Sequence, residues 1–221
     1  MLLKDIKSII FDCDGVLVDS EAISCYALNI VFKNQFGIEI GNDYSEVLGT
    51  SVKFALKYYL DQNKISKYDI IDLAMKKEEA FFNLASEKLV SFENCENFIK
   101  LLLDKSIKIS VASSGSHEKI EFSLNKTNLL QYFDYRYSSS DVKKGKPAPD
   151  LFLYAAEKLD VHPSNCLVIE DSINGVIAGV NAGMQVIAFP GSFSKDQLVK
   201  AGGHYVSNGY AEIIELVARF F

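Results

Sequence analysis

The chain has 221 residues, carries 29 Asp and Glu against 23 Lys and Arg, and has a formal net charge of −6. With 48% hydrophobic and 24% charged residues it has the composition of a folded domain with a buried core, which excludes an intrinsically disordered chain. The acidic balance disfavours a nucleic-acid surface, and four scattered cysteines (Cys13, Cys25, Cys95, Cys166) without a CxxC spacing indicate neither a zinc site nor a disulfide framework.

At the N-terminus a short apolar stretch is broken by Lys4, Asp5 and Lys7, too soon for a signal peptide. No later segment reaches the roughly 18 uncharged apolar residues of a membrane span. A cytoplasmic protein with no membrane or nucleic-acid partner is expected. Ile6 to Phe11 reads as a buried strand that runs into Asp12-Cys13-Asp14-Gly15. From Glu21 to about Leu89 helical spacing dominates, with Ile23, Ala27, Ile30 and Val31 on one stripe and Ala55, Leu56, Tyr59 and Leu60 on another.

After Phe92 helices and strands alternate. Helices are predicted near Asn94 to Asp104, Ser116 to Asn125, Pro149 to Leu159 and Ser172 to Ala182. Strands are predicted over Lys108 to Ala112, Phe133 to Tyr137, Cys166 to Ile169 and Gln185 to Phe189. Alternation of this kind implies a parallel sheet covered on both faces. The expected fold is therefore α/β: a Rossmann-like parallel-sheet core, residues 1–18 and 92–221, with an all-helical cap, residues 19–91, inserted after the first strand. The hinges are expected near Val18 to Ser20 and Val90 to Phe92.

Ligands of open parallel sheets bind beyond the carboxyl ends of the strands, and the polar residues that stand out fall there. Asp12 and Asp14 follow the first strand, Ser113 and Ser114 the next, Lys146 lies in the loop after the third, and Glu170 with Asp171 follows the fourth. Residues i and i+2 of an extended strand face the same side, so Asp12 and Asp14 can share one site, and Cys13 between them points away into packing. Two carboxylates that close repel, and a cation is the remedy. Glu170 and Asp171 add the hard oxygen ligands that magnesium accepts. Gly15 lets the backbone approach a ligand, Lys146 can neutralise a phosphate oxygen, and Ser113, with Ser114 beside it able to take the same role, can hydrogen-bond another. A carboxylate nucleophile, a second carboxyl for proton transfer, a metal and a lysine suit phosphoryl transfer through a covalent intermediate.

The strings IIFDCDGVLVDSE, VASSGS, KGKPAPD and VIEDSINGVIAG with NAGM, in this order at strand ends, resemble the haloacid dehalogenase superfamily, in the branch of β-phosphoglucomutase-like enzymes and sugar-phosphate phosphatases with a small helical cap. The resemblance extends over essentially the whole chain. It implies a magnesium-dependent phosphatase of small phosphorylated metabolites and a monomer. It makes Asp12 the nucleophile and Asp14 the general acid/base. The metal falls to Asp12, the Asp14 backbone carbonyl and Asp171, with Glu170 direct or through water, and the phosphoryl oxygens fall to Ser113 and Lys146. It also places Gly49, Thr50 and Ser51 in a substrate-facing cap loop and offers Lys77 as a group for an anionic leaving group.

Plainer readings stand beside some of these. Glu170 precedes a helix start, where acidic groups are favoured anyway. Lys77 lies in a Lys76-Lys77-Glu78-Glu79 run, which is expected on a solvated helix face; His117, near a helix start after the serine motif, reads as a surface histidine more readily than as a substrate contact, and His162 and His204 read as structural or exposed. Two rival functions remain: a sugar phosphomutase and a catalytically silent binding module. Where the mutases have a histidine after the first motif this chain has Ser24, and where they grip a second phosphate with arginine it has Val52 beside Lys53, which favours hydrolysis.

Overall fold

The computed structural model describes residues 5–44, 46–47, 50–189 and 191–218. The chain divides into two compact units, Ser20–Leu89 on one side and Met1–Asp19 with Val90–Phe221 on the other.

The unit Ser20–Leu89 is built from helices α1 (Glu21–Phe36), α2 (Val52–Gln62) and α3 (Ile70–Lys88). Each end has a local cause. Gly37, in the left-handed region, closes α1 by donating its N–H to the Lys33 carbonyl while the Ile38 N–H donates to that of Phe32, and the Asp69 carboxylate caps α3 by accepting from the N–H groups of Ile71 and Asp72. Their apolar stripes meet in a core of Leu28, Val31, Phe32, Leu56, Leu60 and Leu73. Tyr59 packs there edge-on to Phe32, ring centroids 5.9 Å apart, while its hydroxyl donates to the Asp43 carbonyl at 2.8 Å.

The other unit is a six-stranded parallel sheet. Its strands are β1 (Ser8–Phe11), β2 (Lys108–Ser113), β3 (Arg136–Ser138), β4 (Cys166–Glu170), β5 (Gln185–Ala188) and β6 (Tyr205–Val206), in the order β3-β2-β1-β4-β5-β6. Helices α4 (Cys95–Asp104), α5 (His117–Lys126), α6 (Asp150–Leu159), α7 (Ile173–Asn181), α8 (Lys195–Lys200) and α9 (Tyr210–Val217) connect and cover the strands. Every residue of β1 and β4 is buried, as strands with helices on both faces must be. The chain leaves β1 for β2 and β3 on one side and then returns to lay β4, β5 and β6 on the other. The order reverses between β1 and β4, whose registers pair Phe11 with Ile169, and the carboxyl ends of these two strands define the switch point at which such sheets bind ligands.

Where the sequence pattern predicts a strand over Phe133 to Tyr137, the pairing starts only at Arg136. Phe133 is fully buried against Phe11, ring centroids 5.7 Å apart: its apolarity serves the core rather than a ladder. The sequence pattern also ends at Phe189, whereas α8, β6 and α9 follow. The short β6 pairs only through Tyr205 and Val206, too few residues to display an alternation. Within the sheet unit, the outgoing and returning chain form an antiparallel bridge, Val18 opposite Ser91, with the Asp19 N–H donating to the Val90 carbonyl at 2.9 Å.

Candidate active site

Asp12 is the first residue past β1, and its N–H still donates to the Ile169 carbonyl at 2.9 Å, so the carboxylate is fixed beside the end of β4. The backbone then turns sharply. Cys13 O accepts from the N–H groups of Leu17 and Val18, and Gly15 adopts φ +77°. A Cβ on Gly15 would lie 2.1 Å from Asp171 Oδ2, so glycine is required both by the conformation and by the approach of Asp171. The fully buried Tyr210 of α9 holds the turn from behind, its hydroxyl donating to Val16 O at 3.1 Å. Cys13 is buried, and desolvation pushes its thiol well above the ordinary range; it packs, as its place between the aspartates predicts.

Glu170 ends β4 with 1% of its surface exposed. Oε2 accepts the Ser172 N–H at 2.6 Å and Oε1 accepts from Lys146 Nζ at 2.8 Å. The carboxylate lies over the first turn of α7 at Gly175, where a Cβ would be 1.7 Å from Oε1. Lys146 reaches in from the loop between β3 and α6. Its ammonium also donates to Asp12 Oδ1 at 2.6 Å and Ala112 O at 3.0 Å, so three acceptors meet its three protons, and it lies 4.8 Å from the Phe152 ring centroid. Burial alone would lower the Lys146 pKa, but Asp12 and Glu170 reverse that and raise it, so the ammonium stays charged. For Asp12 burial wins. Desolvation, with Glu170 adding to it and Lys146 opposing it, pushes the carboxyl up to about 7.

Asp14 lies on the same side of the turn and its Oδ2 accepts from Lys119 Nζ of α5 at 2.7 Å. Ser113, the last residue of β2, is buried, and its Oγ accepts the Gly115 N–H at 3.1 Å. Ser114 is exposed and uses its carbonyl to accept from Ser139 Oγ. His117 pairs with Asp141 at 2.8 Å. His162 and His204 are exposed; His162 caps a 3-10 turn through Ser164 N, and His204 Nδ1 accepts from Val186 N.

Asp12, Glu170 and Asp171, all buried, each offer one carboxylate oxygen, and these oxygens lie within 4.8 Å of one another. Three buried carboxylates this close repel one another when charged, and a divalent cation would offset that repulsion. The hard oxygen donors also suit magnesium. The residues present therefore fit the metal that the sequence implies.

The sheet unit thus gathers Asp12, Asp14, Gly15, Ser113, Lys146, Glu170 and Asp171 at the switch point. Ser114, also of the sheet unit, is exposed, and Thr50, Ser51 and Lys77 belong to the helical unit. Thr50 Oγ1 donates to Val47 O at 2.6 Å, Ser51 caps α2 by accepting from Phe54 N, and Gly49 lies outside the described residues. Lys77 departs from the solvated face expected of its charged run. It is 6% exposed, donates to Ser24 Oγ at 2.6 Å and lies 5.6 Å from the Phe81 ring centroid. Its place in the stripe Leu73, Lys77, Phe81, Ala85, each four residues on, is a signal that outranks the flanking charges. Lys119 is the site residue that the sequence reading misses; its spacing to VASSGS puts it in the first turn of the helix that starts at the strand ends, and that is the signal available for it.

Comparison with known proteins adds the family. Residues 9–189 match the model of the haloacid dehalogenase-like hydrolases. The chain is 33% identical to the 6-phosphogluconate phosphatase of Escherichia coli over 190 residues, 85% of this chain and 84% of that protein. It is 28% identical to the phosphorylated carbohydrates phosphatase of Thermotoga maritima over 186 residues, 82% and 83% of the two chains. The crystal structure of CbbY from Rhodobacter sphaeroides in complex with phosphate superposes with a TM-score of 0.82 at 27% identity, covering 94% of this chain and 96% of that one. On the extent of the family match, and on relatives of this identity aligned over most of their length, the chain belongs to the haloacid dehalogenase-like hydrolases and is a phosphomonoester hydrolase.

Proposed function

We propose that the protein is a magnesium-dependent phosphatase of small phosphorylated metabolites, with sugar or sugar-acid phosphates as its substrate class, and that it works through an aspartyl-phosphate on Asp12. The observation that carries this reading is the pairing of a buried Asp12 carboxylate with Lys146 inside a cluster of three buried carboxylates at the sheet's switch point. The substrate class takes its support from the relatives named for 6-phosphogluconate and phosphorylated carbohydrates.

In this mechanism an Asp12 oxygen attacks phosphorus in line as the P–O bond to the alcohol breaks, and Asp14 gives its proton to the departing oxygen. Asp14, now a carboxylate, takes a proton from water, whose oxygen attacks the phosphorus of aspartyl-phosphate; phosphate leaves and the Asp12 carboxylate is restored. Lys146 donates to the phosphoryl oxygens and balances their charge, and the Ser113 hydroxyl donates to another. Asp12, Asp171 and the Asp14 main-chain carbonyl, with Glu170 directly or through water, would hold magnesium, which when bound would supply further positive charge for the phosphoryl oxygens. Burial makes each of these interactions stronger than in water.

Phosphate release from a panel of phosphorylated metabolites, with and without magnesium, tests the reading. Magnesium-dependent turnover is expected, with sugar and sugar-acid phosphates giving the highest kcat/KM. Asp12→Asn should abolish turnover while leaving the circular dichroism spectrum unchanged. A catalytically silent protein across the panel, or an active Asp12→Asn variant, overturns it.

A further inference from the structure

The first turn of α5 holds a cation against the carboxylate assigned to proton transfer. Lys119 Nζ and Asp14 Oδ2 are 2.7 Å apart, with side chains 15% and 30% exposed. Local structure fixes the lysine. Ser116 Oγ accepts the Lys119 N–H at 3.1 Å and so sets the turn that carries it. The stem passes over Gly115, where a Cβ would touch Lys119 Cδ at 3.5 Å and Asp14 Oδ2 at 3.8 Å. The loop beneath is tied to β3 and the turn after it, with Ser138 Oγ donating to Gly115 O at 2.6 Å and Ser139 Oγ to Ser114 O at 2.9 Å.

We propose that Lys119 is a positioning residue that fixes the rotamer of Asp14, so that its carboxyl addresses first the ester oxygen and then the attacking water. The proposal rests on the acid/base role given to Asp14 above. Asp14 must serve two half-reactions at one phosphorus, and its side chain is the more exposed partner of the pair. A carboxyl free to rotate spends little time at hydrogen-bond reach of either proton, and a misplacement of about 1 Å costs about 100-fold in rate.

The test is a double-mutant cycle on the intact protein, read as steady-state phosphate release at saturating magnesium. Lys119→Met should lower kcat by about 10- to 100-fold while KM changes less than about three-fold. Lys119→Arg, which keeps a cation on a long stem, should recover most of the loss. In the Asp14→Asn background Lys119→Met should cost nothing further, because there is no carboxylate left to aim. If Lys119→Met lacks a cooperative thermal melt, Lys119→Gln carries the same comparison. Equal losses with and without Asp14, a change confined to KM, or wild-type kcat in Lys119→Met overturns the proposal. An active wild type with an unimpaired Asp14→Asn variant overturns the acid/base reading and the proposal with it, whereas additive losses overturn the proposal alone.

Discussion

Lys146 Nζ lies 2.6 Å from Asp12 Oδ1, although 134 positions separate the two residues, and the lysine side chain is 3% exposed. The same ammonium holds Glu170 at 2.8 Å, so one cation compensates two buried carboxylates. Removing one partner of a buried ion pair costs about 3–5 kcal/mol, because the other charge is left without compensation. Lys146→Met should therefore unfold at lower urea concentration than the wild type when free of metal. The deficit has a sign with pH. Asp12 has a folded-state pKa raised from 3.8 to about 7, and a carboxyl raised in this way lowers stability as pH climbs through that value. The variant should be closest to wild type near pH 6 and furthest from it near pH 8; a deficit independent of pH would contradict this account of the pair.

The raised Asp12 pKa also makes proton and metal competitors. Burial is its largest cause, with Glu170 adding to it against Lys146, and a bound cation favours the charged carboxylate that burial disfavours. Magnesium binding should release protons and should tighten as pH rises from about 6 to about 8. Isothermal titration calorimetry in buffers of different ionisation enthalpy reads both effects. A dissociation constant unchanged across that range would place the metal elsewhere than on Asp12.

Glycine at position 175 is a second handle on the cluster. In an exposed helix Gly→Ala stabilises by about 1 kcal/mol. At this position the added Cβ would lie 1.7 Å from Glu170 Oε1 and 1.8 Å from its carboxyl carbon, so the carboxylate must leave the place where Lys146 and the Ser172 N–H hold it. The steric term outweighs the propensity gain. Gly175→Ala should lower the melting temperature, weaken magnesium binding at least several-fold and depress kcat; an unchanged magnesium affinity would remove Glu170 from the ligand set.

The strand ends were legible because their residues are local in sequence: a short buried strand followed by Asp12 and Asp14, and another followed by Glu170 and Asp171, declare their side of the sheet through their position alone. Lys119 was not legible in the same way. It lies 105 residues from Asp14, and helical spacing gives its turn without saying which strand end it meets. Gly175 hid for a similar reason, since a glycine in a helix has no pattern until Glu170 is laid over it. Lys77 failed in the opposite sense: composition named it a solvated charge, whereas the stripe from Leu73 to Ala85 buries it.

Hydrolysis rather than isomer transfer is the last expectation. A mutase must retain a phosphorylated intermediate while the sugar turns over, which requires a grip on the second phosphate, and a bidentate arginine supplies that grip well. Where the resemblance puts this arginine the chain has Val52, 38% exposed at the start of α2. In place of the histidine after the first motif stands Ser24, whose hydroxyl accepts from Lys77 within the helical unit and which lacks an imidazole to titrate near neutrality. With a glucose phosphate as substrate, free phosphate should accumulate while a coupled dehydrogenase assay for the other glucose phosphate isomer stays at background. Restoring the grip with Val52→Arg should raise isomer formation relative to phosphate release. Isomer conversion that outruns phosphate release in the unmodified protein would reverse the assignment from phosphatase to mutase.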